Sequence, residues 1–152
     1  MNGKRGLIMG LANDRSLAWG IAKKLREEGA ELAFSYQGEA LEKRVRPLAE
    51  QLGSDFLIDC DVSDMAALDK TFETLAARWP TIDFVVHAIG FSDKNELRGG
   101  YVDTSLDNFL LTMNVSVYSF VAVAHRARAM MPNGGALLTL SYYGAEKVIP
   151  HY

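Results

Sequence analysis

Five short apolar runs alternate with four longer segments of helical periodicity, and no other feature constrains the fold of this chain as tightly. The runs are Leu7-Ile8-Met9, Leu32-Ala33-Phe34, Phe56-Leu57-Ile58, Phe84-Val85-Val86 and Ala136 to Leu140. Continuous apolar character, rather than alternation, is how strands read when both faces of their sheet are covered. Between the runs, apolar residues return every three or four positions. Ser16 is placed to cap a helix carrying Leu17, Ile21 and Leu25, and Gly29 to end it. Leu41, Val45, Leu48 and Leu52 line a second helix closed by Gly53. Met65, Leu68, Phe72, Leu75 and Trp79 line a third, stopped by Pro80. Thr104, with Asp107 three residues on, resembles a capping box before Leu106, Leu110, Met113, Val117, Phe120 and Ala124. That fourth helix should continue to the neighbourhood of Met130. Pro47 is a misfit, because an interior proline costs a helix about 3 kcal/mol; a kink or a restart there is expected.

Strand, helix, strand in repetition predicts a parallel sheet with right-handed crossovers, a doubly wound, Rossmann-like α/β fold. No linker, repeat or low-complexity tract interrupts it, so residues 1–152 read as one domain. The longest unassigned segment, Phe91 to Asp103, follows the fourth strand on the edge where such sheets bind ligands.

Composition excludes several classes. Sixteen Lys and Arg against 19 Asp and Glu give a formal charge of -3, and no basic stripe suited to nucleic acid or an anionic membrane surface is present. The single cysteine, Cys60, rules out an intramolecular disulfide and a multi-cysteine zinc site, so no metal site is expected and a reducing cytoplasm fits. No unbroken run approaches the ~18 apolar residues of a membrane span, and the apolar stretch near the start is too short for a signal-peptide core.

The carboxyl ends of the strands carry the candidate chemistry. Gly10 ends the first strand and allows a sharp turn, after which the free N–H groups of the next helix, with the Ser16 hydroxyl, can face a pyrophosphate. Gly20, one turn in, is expected to let that helix pack closely on the sheet. The spacing is not G-x-G-x-x-G, so the position at the first strand–helix turn carries the dinucleotide reading. The second strand ends in Ser35-Tyr36-Gln37, where Gln37 can hydrogen-bond ribose hydroxyls and brings no charge for a 2′-phosphate. NADH is therefore preferred, with Lys43 and Arg44 close enough in sequence to keep NADPH open. Asp61 can accept from an adenine amino group beside the Val62 backbone, or Asp61, Ser63 or Asp64 can cap the following helix. Ala88-Ile89-Gly90 offers a flat edge for a ring or ribose, whereas His87, preceding that edge, reads as a strand residue. Tyr142 and Tyr152 follow the fifth strand, where a phenol can hydrogen-bond an oxygen gaining negative charge.

Gly10 with its five-residue gap to Ser16, EGAELAFSYQ (28–37), QLGSDFLIDCDV (51–62), VVHAIGF (85–91) and ALLTLSYYGAEKVIPHY (136–152) together closely resemble the bacterial enoyl-acyl-carrier-protein reductases of fatty-acid synthesis. These are a divergent branch of the short-chain dehydrogenase/reductase superfamily. The last string is the most specific, since ordinary members carry neither its LSY-GAE pattern nor its tyrosine pair. The resemblance implies that Gly10, Ser16 and Leu17 contact the NADH pyrophosphate region, Gln37 the ribose, Asp61 and Val62 the adenine, and Ile89 and Gly90 the cofactor beside the substrate. It places a substrate-contacting backbone at Ser92 and the active-site phenols at Tyr142 and Tyr152. Asn114 reads as structural.

The implied reaction is NADH-dependent reduction of a trans-2-enoyl thioester held on acyl carrier protein, by a cytoplasmic homotetramer. In this family a lysine follows the second tyrosine in a Y-x6-K pattern, and Tyr152 is the last residue here. The expectation is a chain truncated after its fifth strand, with an open sheet edge, inactive alone and assembling only at full length. Two further readings are a short-chain carbonyl or alcohol dehydrogenase and a non-catalytic nucleotide-binding fragment.

Overall fold

The computed structural model describes residues 1–149; Tyr152 lies outside the described residues. Each apolar run becomes a strand: β1 (Arg5–Met9), β2 (Glu31–Tyr36), β3 (Leu57–Asp59), β4 (Phe84–His87) and β5 (Ala136–Thr139). The helices between them are α1 (Leu17–Glu27), α2 (Gly38–Gln51) and α3 (Met65–Arg78). Between β4 and β5 lie α4 (Leu106–Met113), a π turn (Asn114–Tyr118), α5 (Ser119–Ala127) and a closing 3₁₀ turn (Arg128–Met130). All strand pairs are parallel, in the order β3-β2-β1-β4-β5. The expected doubly wound sheet is therefore present, with its strand order reversing between β1 and β4.

The strand pleat divides the core into two layers. Leu7, Met9 and Val85 face α3 and α5, meeting Leu68, Phe72, Leu75, Val123 and Ala127. Ile8, Phe34, Phe84 and Val86 face α1 and α2, meeting Ala18, Trp19, Ala22, Val45 and Ala49. Helix ends obey the turn chemistry in the sequence. Gly29 takes φ +89 past the end of α1, where its N–H donates to the Arg26 carbonyl and that of Ala30 to Leu25. Asp64, rather than Asp61 or Ser63, caps α3 by accepting from Ala66 N–H at 2.8 Å.

Several expectations are corrected. Ser105, not Thr104, caps α4, accepting from Asn108 N–H at 3.1 Å, while the Thr104 hydroxyl donates to the Tyr101 carbonyl. Helix α2 neither ends nor restarts at Pro47; the proline is on its exposed side, where water can serve the carbonyl left without a donor. Gly20 is not packed closely on the sheet, since an added Cβ would meet no atom of another described element within 4 Å. Ser16 occupies the N-cap position of α1 without a side-chain cap bond.

The fourth helical segment shows the largest departure. The line through Leu106, Leu110, Met113 and Val117 faces outward, with Leu106 70%, Leu110 56% and Val117 50% exposed. The buried residues are instead Asn108, Ser119, Ala122, Val123, Ala127 and Met130. This helix is apolar on more than one side, so its periodicity selects no single face, and the π turn shifts the register midway. Residues Leu106–Met130 also meet the length and mean hydropathy of a membrane span, which a search for unbroken runs overlooks. Its second half packs on α3, and Arg126 reaches Asp69 at 2.7 Å and the Met65 carbonyl at 3.3 Å. The outer side of β5 pairs with no other strand among the described residues.

Two contacts set the sheet's carboxyl edge. Gly10 has φ +93, and a Cβ there would collide with the Ala88 carbonyl oxygen. His87, fully buried, lies 2.8 Å by Nε2 from Ser119 Oγ and 3.2 Å by Nδ1 from Thr139 Oγ1. Ser119 gives its one hydroxyl hydrogen to the Val115 carbonyl at 2.6 Å. Nε2–H must therefore donate to Ser119, leaving Nδ1 to accept from Thr139. Burial pushes the His87 pKa down.

Both contacts bear on stability. Gly10→Ala should destabilise the chain by more than about 2 kcal/mol in urea unfolding, since it combines left-handed strain with a backbone clash. With its folded pKa depressed, His87 binds a proton more readily when unfolded. Stability should hold above the unfolded pKa near 6.5 and fall below it, by up to about 1.4 kcal/mol per pH unit, until the lower folded pKa is passed. His87→Gln should flatten that part of the profile, and an unchanged slope would remove His87 as its source.

Candidate functional site

Four strand ends open into one crevice of about 380 Å³ at the carboxyl edge of the sheet. The β1 end supplies Gly10, Leu11 and Ala12, the β2 end Ser35, Tyr36 and Gln37, the β3 end Cys60 to Ser63, and the β4 end Ala88 to Phe91. Leu41 of α2, Leu111 of α4 and Val115 of the π turn complete the wall. Gly10, Gln37, Asp61, Val62, Ile89 and Gly90, far apart in the chain, thus surround a single space. This is the position where a doubly wound sheet reverses its strand order and binds its ligand.

At the first turn, Ser16 works in a way its cap position does not announce. Its Oγ turns back and accepts from the N–H groups of Ala12 and Asn13, both at 3.1 Å. The Asn13 side chain accepts from Arg15 N–H at 2.8 Å. The loop is therefore pinned from within, and the Ser16 hydroxyl hydrogen remains as a donor beside the first N–H groups of α1. Neither Ser16, which is bonded to the lining residue Ala12, nor the exposed Leu17 lines the crevice.

At the second and third strand ends, Gln37 Nε2 donates to Asp61 Oδ2 at 2.8 Å. Asp61 Oδ1 accepts from the Ser63 hydroxyl at 2.7 Å and its N–H at 2.8 Å. The Ser63 hydroxyl, with its backbone N–H and Gln37, holds the Asp61 carboxyl below the usual carboxylate range, against the opposing effect of burial. Asp61 is thus a charged acceptor at neutral pH, and Gln37 keeps its carboxamide oxygen as an acceptor. Gly38 N–H donates to Asp59 Oδ1 at 2.8 Å, tying the same two strand ends together. Lys43 pairs with Glu39 at 2.8 Å, and neither Lys43 nor Arg44 lines the crevice. Burial pushes the Cys60 thiol pKa up, so it contributes an apolar wall.

Beyond β4, Ser92 turns away from the crevice. It receives the Thr112 hydroxyl at 2.9 Å and shares longer contacts with the Asn108 carboxamide. Tyr142 follows β5 in extended backbone, its ring against Gly144, and is not part of the crevice wall. Leu111 and Val115 escaped the sequence reading because they sit off the apolar line it followed; their i, i+4 spacing was the available signal. Asn114 opens the π turn that carries Val115 to the wall. Among the described residues no cluster of His, Cys, Asp or Glu could hold a metal ion.

Comparison with known proteins gives a consistent result. The family model described as enoyl-(acyl carrier protein) reductase matches residues 10–152. The enoyl-[acyl-carrier-protein] reductase [NADH] 1 of Rhizobium meliloti (strain 1021) is 63% identical over all 152 residues, which correspond to 56% of its own length. The crystal structure of FabI from Candidatus Liberibacter asiaticus superposes with a TM-score of 0.97 at 58% identity, covering 99% of this chain and 58% of that one. The reductase of Anaplasma phagocytophilum, solved in complex with NAD, gives 0.96 at 59% identity, covering 100% and 58%. The chain therefore spans somewhat over half the length of these relatives. With its parallel sheet, its crevice at the strand-order reversal and a family match running from Gly10 to Tyr152, this chain belongs to the enoyl-(acyl carrier protein) reductase family.

Proposed function

We propose that this chain binds NADH along the carboxyl edge of its sheet and serves the reduction of trans-2-enoyl thioesters carried on acyl carrier protein. The observation that carries this reading is the convergence of Gly10, Gln37, Asp61, Ile89 and Gly90 on one crevice. The residues suit a dinucleotide. Gly10 brings bare backbone to the first turn, and Ser16 with the start of α1 offers donors for a pyrophosphate. Gln37 accepts from ribose hydroxyls, while Asp61 and the Val62 backbone meet the adenine edge. The Asp61 charge 2.8 Å from the Gln37 amide, with no cation among the described lining residues, disfavours a 2′-phosphate and selects NADH over NADPH.

Bound there, NADH supplies a hydride to the β-carbon of the enoyl thioester. Ile89 and Gly90 give the nicotinamide a flat resting edge, and the Ser92 backbone contacts substrate. Tyr142 shapes the acyl pocket and excludes water. Tyr152 donates a hydrogen bond to the thioester oxygen as it becomes an enolate, and the α-carbon then takes a proton from solvent to give the saturated thioester. The exposed apolar residues Leu106, Leu110, Val117 and Val121 support assembly into a homotetramer, and a bacterial cytoplasm is the setting of this chemistry.

NADH should quench intrinsic fluorescence of the chain saturably and bind more tightly than NADPH. Asp61→Ala should weaken NADH about tenfold, because it removes a charged acceptor and releases Gln37. Absence of NADH binding by the wild-type chain would sink the reading. In an enzyme of the relatives' full length that contains this sequence, Tyr152→Phe should lower crotonyl-thioester-dependent NADH oxidation by roughly a hundredfold or more, as loss of one oxyanion donor does. Faster turnover of ketones than of enoyl thioesters would favour a carbonyl reductase instead.

A further inference from the structure

Asn108, Thr112 and Ser116 stand four residues apart along a segment whose neighbours are mostly apolar, so they form a polar seam on one face. Every member of that seam is bonded to the three residues after Gly90. Asn108, buried, accepts from Asp93 N–H at 2.9 Å and reaches the Ser92 hydroxyl at 3.3 Å. Thr112 donates to that hydroxyl at 2.9 Å. Ser116 makes the closest engagement with the backbone, accepting from Phe91 N–H at 3.0 Å and donating to the Phe91 carbonyl at 3.1 Å. One hydroxyl thus satisfies both polar groups of a residue that belongs to no strand.

The π turn supports this arrangement. It spans Asn114–Tyr118 and so contains Ser116, between Val115 in the crevice wall and Ser119 on His87. A π turn inserts one extra residue into a helix and rotates the residues beyond it by about 100° relative to an unbroken α-helix. The Ser116 hydroxyl also stands where it would be 3.8 Å from a Cβ on Gly90. It therefore borders both residues at the tip of the fourth strand's extension.

We infer that Ser116 is a positioning residue: its paired hydrogen bonds to Phe91 hold the Ile89–Phe91 rim in the geometry that receives the nicotinamide half of the dinucleotide. This rests on the NADH reading above. In a doubly wound sheet the two halves of a dinucleotide lie on either side of the strand-order reversal. The Gln37–Asp61 side serves adenosine, and the Ile89–Phe91 side serves the ring that reacts. A fault at Ser116 should accordingly be felt by one half of the ligand and not the other.

The test compares NADH with ADP-ribose, which keeps the adenosine, pyrophosphate and second ribose but lacks the nicotinamide. Ser116→Ala should weaken NADH about five- to tenfold, the scale of a lost hydrogen-bond pair, and leave ADP-ribose within about twofold. Ser116→Thr, which keeps the hydroxyl, should restore NADH binding. Amide hydrogen exchange at Phe91 gives a reading independent of any ligand: it should accelerate in Ser116→Ala and return in Ser116→Thr. Equal weakening of both ligands, unchanged NADH affinity, or a Phe91 amide indifferent to the substitution would each overturn the inference. Failure of the wild-type chain to bind either ligand would instead overturn the NADH reading, and the positioning role with it.

Discussion

At the carboxyl edge of the sheet, β1 and β4 run side by side so closely that Gly10 has no room for a Cβ against the Ala88 carbonyl. The crevice depends on this approach. Parallel pairing of Gly6–Met9 with Phe84–His87 puts β4 on the opposite side of β1 from β2, so the chain leaves the two central strands in diverging directions. Helix α1 continues one, and the segment from Phe91 onward continues the other. The space between those departures is what the strand ends enclose. Gly10 supplies the backbone conformation that such divergence requires, and a bulkier residue would push apart the two strands defining the site.

Hydrogen bonds, rather than net charge, organise this crevice. Ser16 pins the first loop, Asp61 holds Gln37 and Ser63, and Ser116 holds Phe91. Each joins a strand end to something outside its own element or orders a turn that would otherwise be loose. With no cation among the described lining residues, the second and third strand ends present neutral donors and one stabilised carboxylate. That combination favours a ligand recognised through hydroxyls and amines over one recognised through an extra phosphate. The same economy occurs deeper in the fold, where His87 links β4 to α5 and β5 through two hydroxyls. Its neutrality is a condition of that linkage, because a charge placed there would be buried.

The long segment from Leu106 to Met130 serves two environments at once. Ala122, Val123 and Ala127 complete the core against α3, while Leu106, Leu110 and Val117 remain exposed. Its polar residues are not distributed as on an ordinary amphipathic helix. Asn108 and Ser119 are among its buried members, each paired with a group on β4 or on the segment after it. Burial of these polar side chains is sustained here because each has a partner.

Local chemistry was enough to locate the five strands, the first three helices and the strand ends that meet at the site. Short apolar runs leave little choice once both faces of a sheet must be covered, and Gly29 and Pro80 mark helix ends through their own backbone limits. Family-specific strings added expectations for residue roles that periodicity cannot supply. The pairing of Gln37 with Asp61, the backward turn of Ser16 and the outward face of Leu106, Leu110 and Val117 were not legible in this way. They depend on which elements become neighbours in space, and a hydroxyl or carboxamide can bond many partners until packing leaves it one. Apolar residues on two sides of a helix likewise acquire an inside only when another element covers one of them.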